Sequence, residues 1–392
     1  MTGLRRGLTR LAIACAAGLL LLAGAELAMR ALGFAPIYQI YSHPEIFWRK
    51  DELLGWSQQS NVEGAYVGPR PWPVEYRGWV RINSLGLRGP EIADLPPDGY
   101  RVMVLGDSMV AGFEVPWEET FEALLEARLN DEFDIPIQVI NAGVRGYGTD
   151  QSFLYYQRRG RHLKPDLVIL IYGGNDVSDN VTLHRMRRTF GKGAFALGPG
   201  DTLEPVGYPI PDYPICSEWI LDSKFRPVRV DTAFERAMCL VQTQLSDHSS
   251  LFTFLSMRIR EHPMILQFLY KLGSPSEGAE ASVLGFLTGH TRDPHDVAPR
   301  EKVTSAILGA LVQEVMKNGS ELILSAHDSQ EPFADANARG VFAFAITESK
   351  RPEYRFKRDG HWNPRGHELM ARLLEQPVAE RIRARIARAN GG

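Results

Sequence analysis

The chain has 392 residues, 44% of them hydrophobic and 23% charged, with a formal net charge of −3. That balance fits one large globular domain with elaborations or two modest ones. A charge this close to neutral lacks the basic footprint of a nucleic-acid binder, so neither DNA nor RNA is an expected partner. The amino terminus departs from the average. Arg5, Arg6 and Arg10 precede an uncharged run from Leu11 to Ala25, which Glu26 closes before the mixed stretch LAMRALGF. A basic segment followed by an apolar one marks export. The run is shorter than the roughly 18 to 20 apolar residues that span a bilayer, unless Glu26 and Arg30 lie near the far interface. Two readings of residues 1–35 stay open. The favoured one is an uncleaved signal anchor; the other is a signal peptide cut after the small residues Ala23-Gly24-Ala25. Either puts the remaining chain outside the cytoplasm, whereas the clustered arginines argue against a core helix of a soluble protein. Of three cysteines, Cys15 lies in the apolar run. Cys216 and Cys239 share the exported region, where a disulfide can persist, with two buried free thiols as the competing reading. No Cys/His spacing suggests zinc, and no metal or cofactor is expected.

Residues 36–97, rich in Trp, Tyr, Gly and Pro, read as a small β-rich lead-in with pieces such as EYRGWVRIN. Its aromatic residues from Trp48 to Trp79 either pack that lead-in, the favoured reading, or line a sugar groove. From residue 98 to 392 strands and helices alternate, the mark of an α/β fold with a doubly wound parallel sheet in three layers. RVMVL is a buried strand bounded by Gly106. WEETFEALLEARLN is a helix with Phe121, Leu124, Leu125 and Leu129 on one stripe and acidic residues in its first turn. IPIQVIN is the next strand, TDQSFLYYQRR a helix, and DLVILIY a strand apolar on both faces. Regularity is lost over about 181–299, which reads as an insertion serving as a cap or lid. Its His290, Asp293, His295 and Asp296 are taken as a polar loop, since nothing near them fixes a ligand geometry. The core resumes at REKVTSAILGALVQEVMKNG, where Val303, Ile307, Leu311 and Val315 recur every four residues and Gly319 ends the helix. ELILSA and GVFAFAI follow as strands. A last helix starts near Pro364 with Asn363 as its cap, and the arginine-rich ERIRARIARA within it reads as a solvated face.

In open α/β sheets ligands gather beyond the carboxyl ends of the strands. Gly106-Asp107-Ser108 follows the first core strand, Asn141-Ala142-Gly143 the second, and Gly173-Gly174-Asn175-Asp176 the third; Asp359-Gly360-His361 precedes the last helix. These supply a hydroxyl, a glycine amide, a carboxamide and an imidazole with a carboxylate. Acyl transfer needs that inventory: a nucleophile, a base to take its proton, an acid to orient the base, and donors for the oxyanion. Ser108 as a mere helix cap, His361 as a surface histidine and Gly143 as a turn residue are the competing readings. Asp107 and Asp176 read as turn-holding residues and His367 as structural. Position 110 is Val, so no G-x-S-x-G elbow surrounds Ser108.

GDS, the later Gly, GGND and the terminal Asp/His pair, in this order, resemble blocks I, II, III and V of the SGNH (GDSL-like) hydrolases over about residues 100–374. The resemblance implies Ser108 as nucleophile, His361 as general base and Asp359 as orienting acid. It also implies an oxyanion hole built from the backbone amides of Ser108 and Gly143 and the side chain of Asn175. One departure is the spacing: members of the family usually place two residues between acid and histidine, and here only Gly360 intervenes. Asp328, after ELILSA, is the fallback acid. The shorter D-x-H version, with Leu54-Gly55-Trp56 and the stretch Asn83 to Glu91, is similar to a subgroup of exported, anchored bacterial members. The leading expectation is hydrolysis of acetyl or short-chain acyl esters on a cell-envelope glycan or lipid. The alternatives are O-acyl transfer to an exported polysaccharide and an inactive glycan-binding module. The expected partners are an acyl-ester substrate, with glycan as one form of it, and the membrane through the N-terminal segment.

Overall fold

The apolar run near the amino terminus forms a helix, α1 (Thr2–Ala31), that continues past Glu26. Within it Arg5–Ala31, 27 residues, is long and apolar enough to cross a membrane. At 1.5 Å per residue that stretch is about 40 Å long. The computed structural model describes residues 2–32, 44–68, 75–231, 233–260, 296–327, 341–357 and 359–390. It divides into two units, one holding Met1–His43, Pro69–Val74 and Thr232–Arg292, the other the rest.

The lead-in is two antiparallel hairpins, β1 (Trp48–Asp51) with β2 (Gly55–Gln58) and β3 (Val62–Gly68) with β4 (Tyr76–Ile82). Its aromatics pack, as favoured from sequence: Phe47 and Tyr66 meet Phe113 at ring-centroid distances of 5.3 and 5.4 Å, and Tyr66 stacks on Tyr76 at 5.9 Å. Trp79 alone of the large lead-in aromatics described is mostly exposed.

The alternating part follows in order: β5 (Tyr100–Gly106), α2 (Ser108–Ala111), α3 (Phe121–Glu132), β6 (Ile137–Gly143), α4 (Thr149–Arg158), β7 (Leu167–Tyr172) and α5 (Asp176–Asp179). The insertion begins as β rather than irregular chain. Strands β8 (Thr182–His184), β11 (Trp219–Leu221) and β12 (Pro227–Arg229) form one small sheet, and β9 (Ala194–Leu197) and β10 (Leu203–Val206) form a hairpin. Helices α6 (Ala233–His248) and α7 (Ser250–Arg260) come next, then α8 (Arg300–Lys317), β13 (Glu321–Ala326), β14 (Phe342–Ala345) and α9 (Pro364–Asn390). Residues 261–295, with His290, Asp293 and His295, lie outside the described residues, as does Asp328.

Five parallel strands in the order β14-β13-β7-β5-β6 make the central sheet. Period-two alternation sends Val102, Val104, Ile169 and Ile171 to one face, where Phe121, Leu125 and Leu129 of α3 and Met370, Leu374 and Val378 of α9 cover them. Met103, Leu105, Val168 and Leu170 face the other way, against Tyr155 and Tyr156 of α4 and Val303, Ile307, Leu311 and Val315 of α8. This is the three-layer α/β arrangement expected from sequence. The arginines of α9 lie on a largely exposed face, as expected, and pair there with acids: Arg388 reaches Glu321 at 2.9 Å, and Arg385 approaches Asp166 at 3.5 Å. Cys216 and Cys239 are disulfide-bonded, whereas Cys15 is free.

Candidate active site

Ser108 stands two residues beyond the end of β5, at the first position of α2. Asp107 Oδ1 accepts the Met109 N–H at 2.8 Å, so this aspartate caps the helix and holds the turn. Three carbonyls at the far end of α2 are gathered by the buried Arg88 of the Asn83–Glu91 stretch. Its guanidinium donates to Ala111 O at 2.7 Å, to Gly112 O, and to Val115 O at 2.5 Å. A cation at a helix C-terminus meets the orphan carbonyls there, so the stretch NSLGLRGPE buttresses the turn that presents Ser108. Asn83 folds that stretch, accepting the N–H groups of Leu85 and Leu87 at 3.0 Å each.

His361 Nε2 lies 2.8 Å from Ser108 Oγ. Its Nδ1 is in hydrogen-bond contact with Asp359 Oδ1. The one-residue spacing works because Gly360 has φ +85°, a left-handed turn that folds the Asp359 carboxylate back onto the ring two residues on. Asp359 Oδ2 accepts the Tyr76 hydroxyl at 3.0 Å. Burial alone would raise the Asp359 carboxyl, but the hydrogen bond and charge of His361, helped by Arg145 and Tyr76, hold it well below the usual carboxylate range. A second acid lies beside the ring: Glu114 Oε1 is 3.6 Å from His361 Nδ1 and is ion-paired with Arg145. Burial opposes charge on His361, yet the negative charge of Glu114, against Arg145 and with Asp359, raises its pKa above the ordinary value. Glu114, Asp359 and His361 each offer a ligand atom within 4.8 Å of the others. With His361 Nδ1 committed to Asp359 and Glu114 to Arg145, the group is arranged to orient an imidazole.

Asn175, exposed at the end of β7, donates its amide to Asp179 Oδ2 at 2.7 Å, and Asp179 is ion-paired with Arg185. That bond fixes which way the carboxamide turns and leaves its second N–H available. A Cβ at Gly173 would come within 2.6 Å of Asn175 Oδ1, so glycine there makes room for the amide. Asp176 is buried and accepts the Thr149 hydroxyl at 2.7 Å, a structural role as expected. Burial, with the nearby charge of Asp107, pushes its carboxyl well up.

The N–H of Gly143, expected to serve the oxyanion, donates to Asn141 Oδ1 at 3.0 Å. A Cβ at 143 would lie 2.5 Å from Val110 Cβ and 2.6 Å from Ala111 N, so glycine is needed there to let β6 pass α2. The next glycine in the loop, Gly146, has φ +80° with nothing but Trp56 near a notional Cβ, and its N–H has no hydrogen-bond acceptor among the described residues. His367 is buried, and its Nδ1 accepts the Phe121 N–H at 3.2 Å; burial first, then the charge of Arg88, lowers its pKa to about 3. It is a neutral cap for α3. Tyr76, Glu114 and Arg145 belong to the site but were not singled out from sequence, because no motif surrounds them and they reach it from the lead-in and from two loops.

Residues 104–205 match the model of the GDSL-like Lipase/Acylhydrolase family. No curated protein matches. Solved structures to which the chain is similar include a GDSL-like lipase from Bacteroides thetaiotaomicron, 12% identical, covering 74% of this chain and 92% of that one with a TM-score of 0.35. The esterase EstA from Pseudoalteromonas sp. is 10% identical over 72% of this chain and 98% of its own, with a TM-score of 0.37. The acetylxylan esterase Axe2 from Geobacillus stearothermophilus is 11% identical over 71% and 93%, with a TM-score of 0.33. Residues 104–205 thus match a GDSL-like lipase/acylhydrolase domain, a family of ester-hydrolysing enzymes.

Proposed function

We propose that Ser108, His361 and Asp359 carry out ester hydrolysis on acetyl or short acyl groups of a cell-envelope glycan or lipid. The observation that carries the assignment is the continuous chain from Ser108 Oγ through both ring nitrogens of His361 to Asp359 Oδ1. In this reading His361 Nε2 takes the Ser108 proton as Oγ attacks the ester carbonyl. The same proton then goes to the leaving alcohol, giving an acyl-serine. Water, deprotonated by His361, attacks that acyl group, and the proton returns to Ser108 as the acid leaves. Asp359 keeps Nδ1 protonated and offsets the imidazolium charge.

For the oxyanion we assign the Ser108 N–H, at the start of a helix where no preceding turn accepts it, and the second amide N–H of Asn175. The envelope assignment is supported by the apolar α1, behind Arg5, Arg6 and Arg10, and by the disulfide-bonded state of Cys216 and Cys239, which suits an oxidising compartment. In this reading the domain boundaries near 35 and 97 separate anchor, lead-in and catalytic domain.

The test uses the full chain in detergent with a fluorophosphonate probe and p-nitrophenyl acetate. Wild type is expected to be labelled at Ser108 and to turn the ester over; Ser108→Ala should do neither. Labelling at a different serine would sink the nucleophile assignment.

A further inference from the structure

Helices α6 and α7 bury several polar side chains while exposing several large apolar ones. Gln242, Ser246, Ser250, Thr253 and Ser256 are buried, each at most 8% exposed, whereas Leu240, Val241, Leu245 and Leu255 are 41–53% exposed. At 3.6 residues per turn, positions 240, 241 and 245 share one face of α6 with the exposed Gln244 and His248, and 242 and 246 lie away from it. An aqueous helix puts its leucines inward. Hydrocarbon favours the arrangement seen, because acyl chains accept leucine freely while hydroxyls and amides must find partners within the protein. Inward partners are present: the Ser256 hydroxyl donates to Thr253 O at 3.0 Å and the Thr253 hydroxyl to Ser246 O at 3.4 Å.

The corner between the two helices is fastened to the membrane-crossing helix. The Glu26 carboxylate of α1 accepts the N–H groups of Ser250 and Leu251, both at 2.9 Å, and the Ser249 hydroxyl at 2.8 Å. Arg30, one turn further along α1, donates to His248 O at 2.6 Å and to Glu26 at 2.7 Å. An anion thus meets the start of α7 and a cation the end of α6, each where the helix dipole and unpaired backbone groups favour it. These contacts lie at the carboxyl-terminal end of α1, the end that reaches the far membrane surface if the arginines at 5, 6 and 10 stay inside. With 16 and 11 residues, α6 and α7 are about 24 and 17 Å long, each too short to cross a hydrocarbon layer of roughly 30 Å.

We propose that α6 and α7 form an interfacial elbow, embedded in the outer leaflet beside the end of α1, with Leu240, Val241, Leu245 and Leu255 among the acyl chains. The proposal rests on α1 crossing the bilayer and is independent of the catalytic assignment. Its partner is the lipid surface itself. It also gives Glu26 and Arg30 a purpose that requires an uncleaved anchor, since a cut after Ala25 would leave both on a frayed amino terminus.

The test uses full-length protein in liposomes of phosphatidylethanolamine and phosphatidylcholine that contain a phosphatidylcholine with a diazirine near the end of one acyl chain. Adducts are mapped by mass spectrometry after irradiation. The expected result is acyl-chain adducts on the peptides holding Leu240 to Leu245 and Leu255, at yields comparable with those on Leu19 to Leu22 of α1. Adducts confined to α1, with the α6 and α7 peptides modified instead by hydroxyl radicals generated in the water, would overturn the proposal. Glu26→Ala is expected to keep the α1 adducts and lose those on α6 and α7. Equal labelling of the elbow in Glu26→Ala and wild type would refute the fastening by Glu26.

Discussion

Replacing Asp359 by asparagine tests the D-x-H arrangement most directly. The carboxylate accepts from His361 Nδ1 and, at 3.0 Å, from the Tyr76 hydroxyl. An asparagine of the same shape can present its oxygen to only one of them. If its NH₂ faces the ring, Nδ1 must become the acceptor and Nε2 carries the proton, so the ring can no longer take the Ser108 proton. In triads of this logic that change lowers kcat by about 10⁴, or about 5.4 kcal/mol at 1.36 kcal/mol per tenfold. The structure moderates the figure. Glu114 Oε1 stays 3.6 Å from Nδ1 as a second negative charge, worth about 4 to 5 kcal/mol at an effective dielectric of about 20 before its pairing with Arg145 is counted. A loss of about 10³ to 10⁴ in kcat, with KM little changed, is therefore expected for Asp359→Asn on p-nitrophenyl acetate. Circular dichroism should show the fold intact. Activity within about tenfold of wild type would refute the reasoning. A collapse in Glu114→Gln together with such tolerance would make Glu114 the orienting acid.

Two further outcomes follow from the same geometry. His361 must be neutral to act as a base, and its pKa is raised, so activity is expected to fall as pH drops through a value above the ordinary histidine value of about 6.5. Glu114→Gln removes the leading cause of that shift and should move the acidic limb of the kcat/KM profile to lower pH; an unmoved limb would show that Glu114 does not act on the ring. Asn175→Ala should lower kcat by about 10² to 10³ while KM changes little, because its amide acts mainly in the transition state. A loss seen only in KM would take Asn175 out of the oxyanion hole.

The sheet was legible because its signals are local. RVMVL, DLVILIY and ELILSA are apolar on both faces, as only buried parallel strands are, and the four-residue recurrence from Val303 to Val315 matches a helix whose four residues are all fully buried. The insertion was not legible in the same way. Its first half is built from strands of three or four residues, such as Thr182–His184 and Trp219–Leu221, too short to show a period. The acidic partners of the α9 arginines, Glu321 and Asp166, were not legible because they lie far away in the chain.

The same division between local and distant signals runs through the site. Ser108, Asn175, Asp359 and His361 stand out in the sequence because each follows a strand or precedes a helix within a recognisable short block. Gly143 is harder to read for the complementary reason: the sequence shows that a glycine is present but not where its N–H points, and here it points to Asn141 Oδ1, two residues back. Its need for glycine comes from Val110 and Ala111 of the neighbouring helix, a packing demand that no motif expresses. Tyr76, Glu114 and Arg145 illustrate the limit further, since the acid and histidine they support lie more than 200 residues away in sequence and nothing in their own surroundings announces the contact. The residues proposed for the reaction lie in short motifs after strands or before the last helix; groups that bear on the charge of His361, such as Glu114, are found only when the chain is folded. It follows that variants at Tyr76 and Glu114, rather than at the motif residues, are where the pH dependence of this site can be altered without abolishing its chemistry.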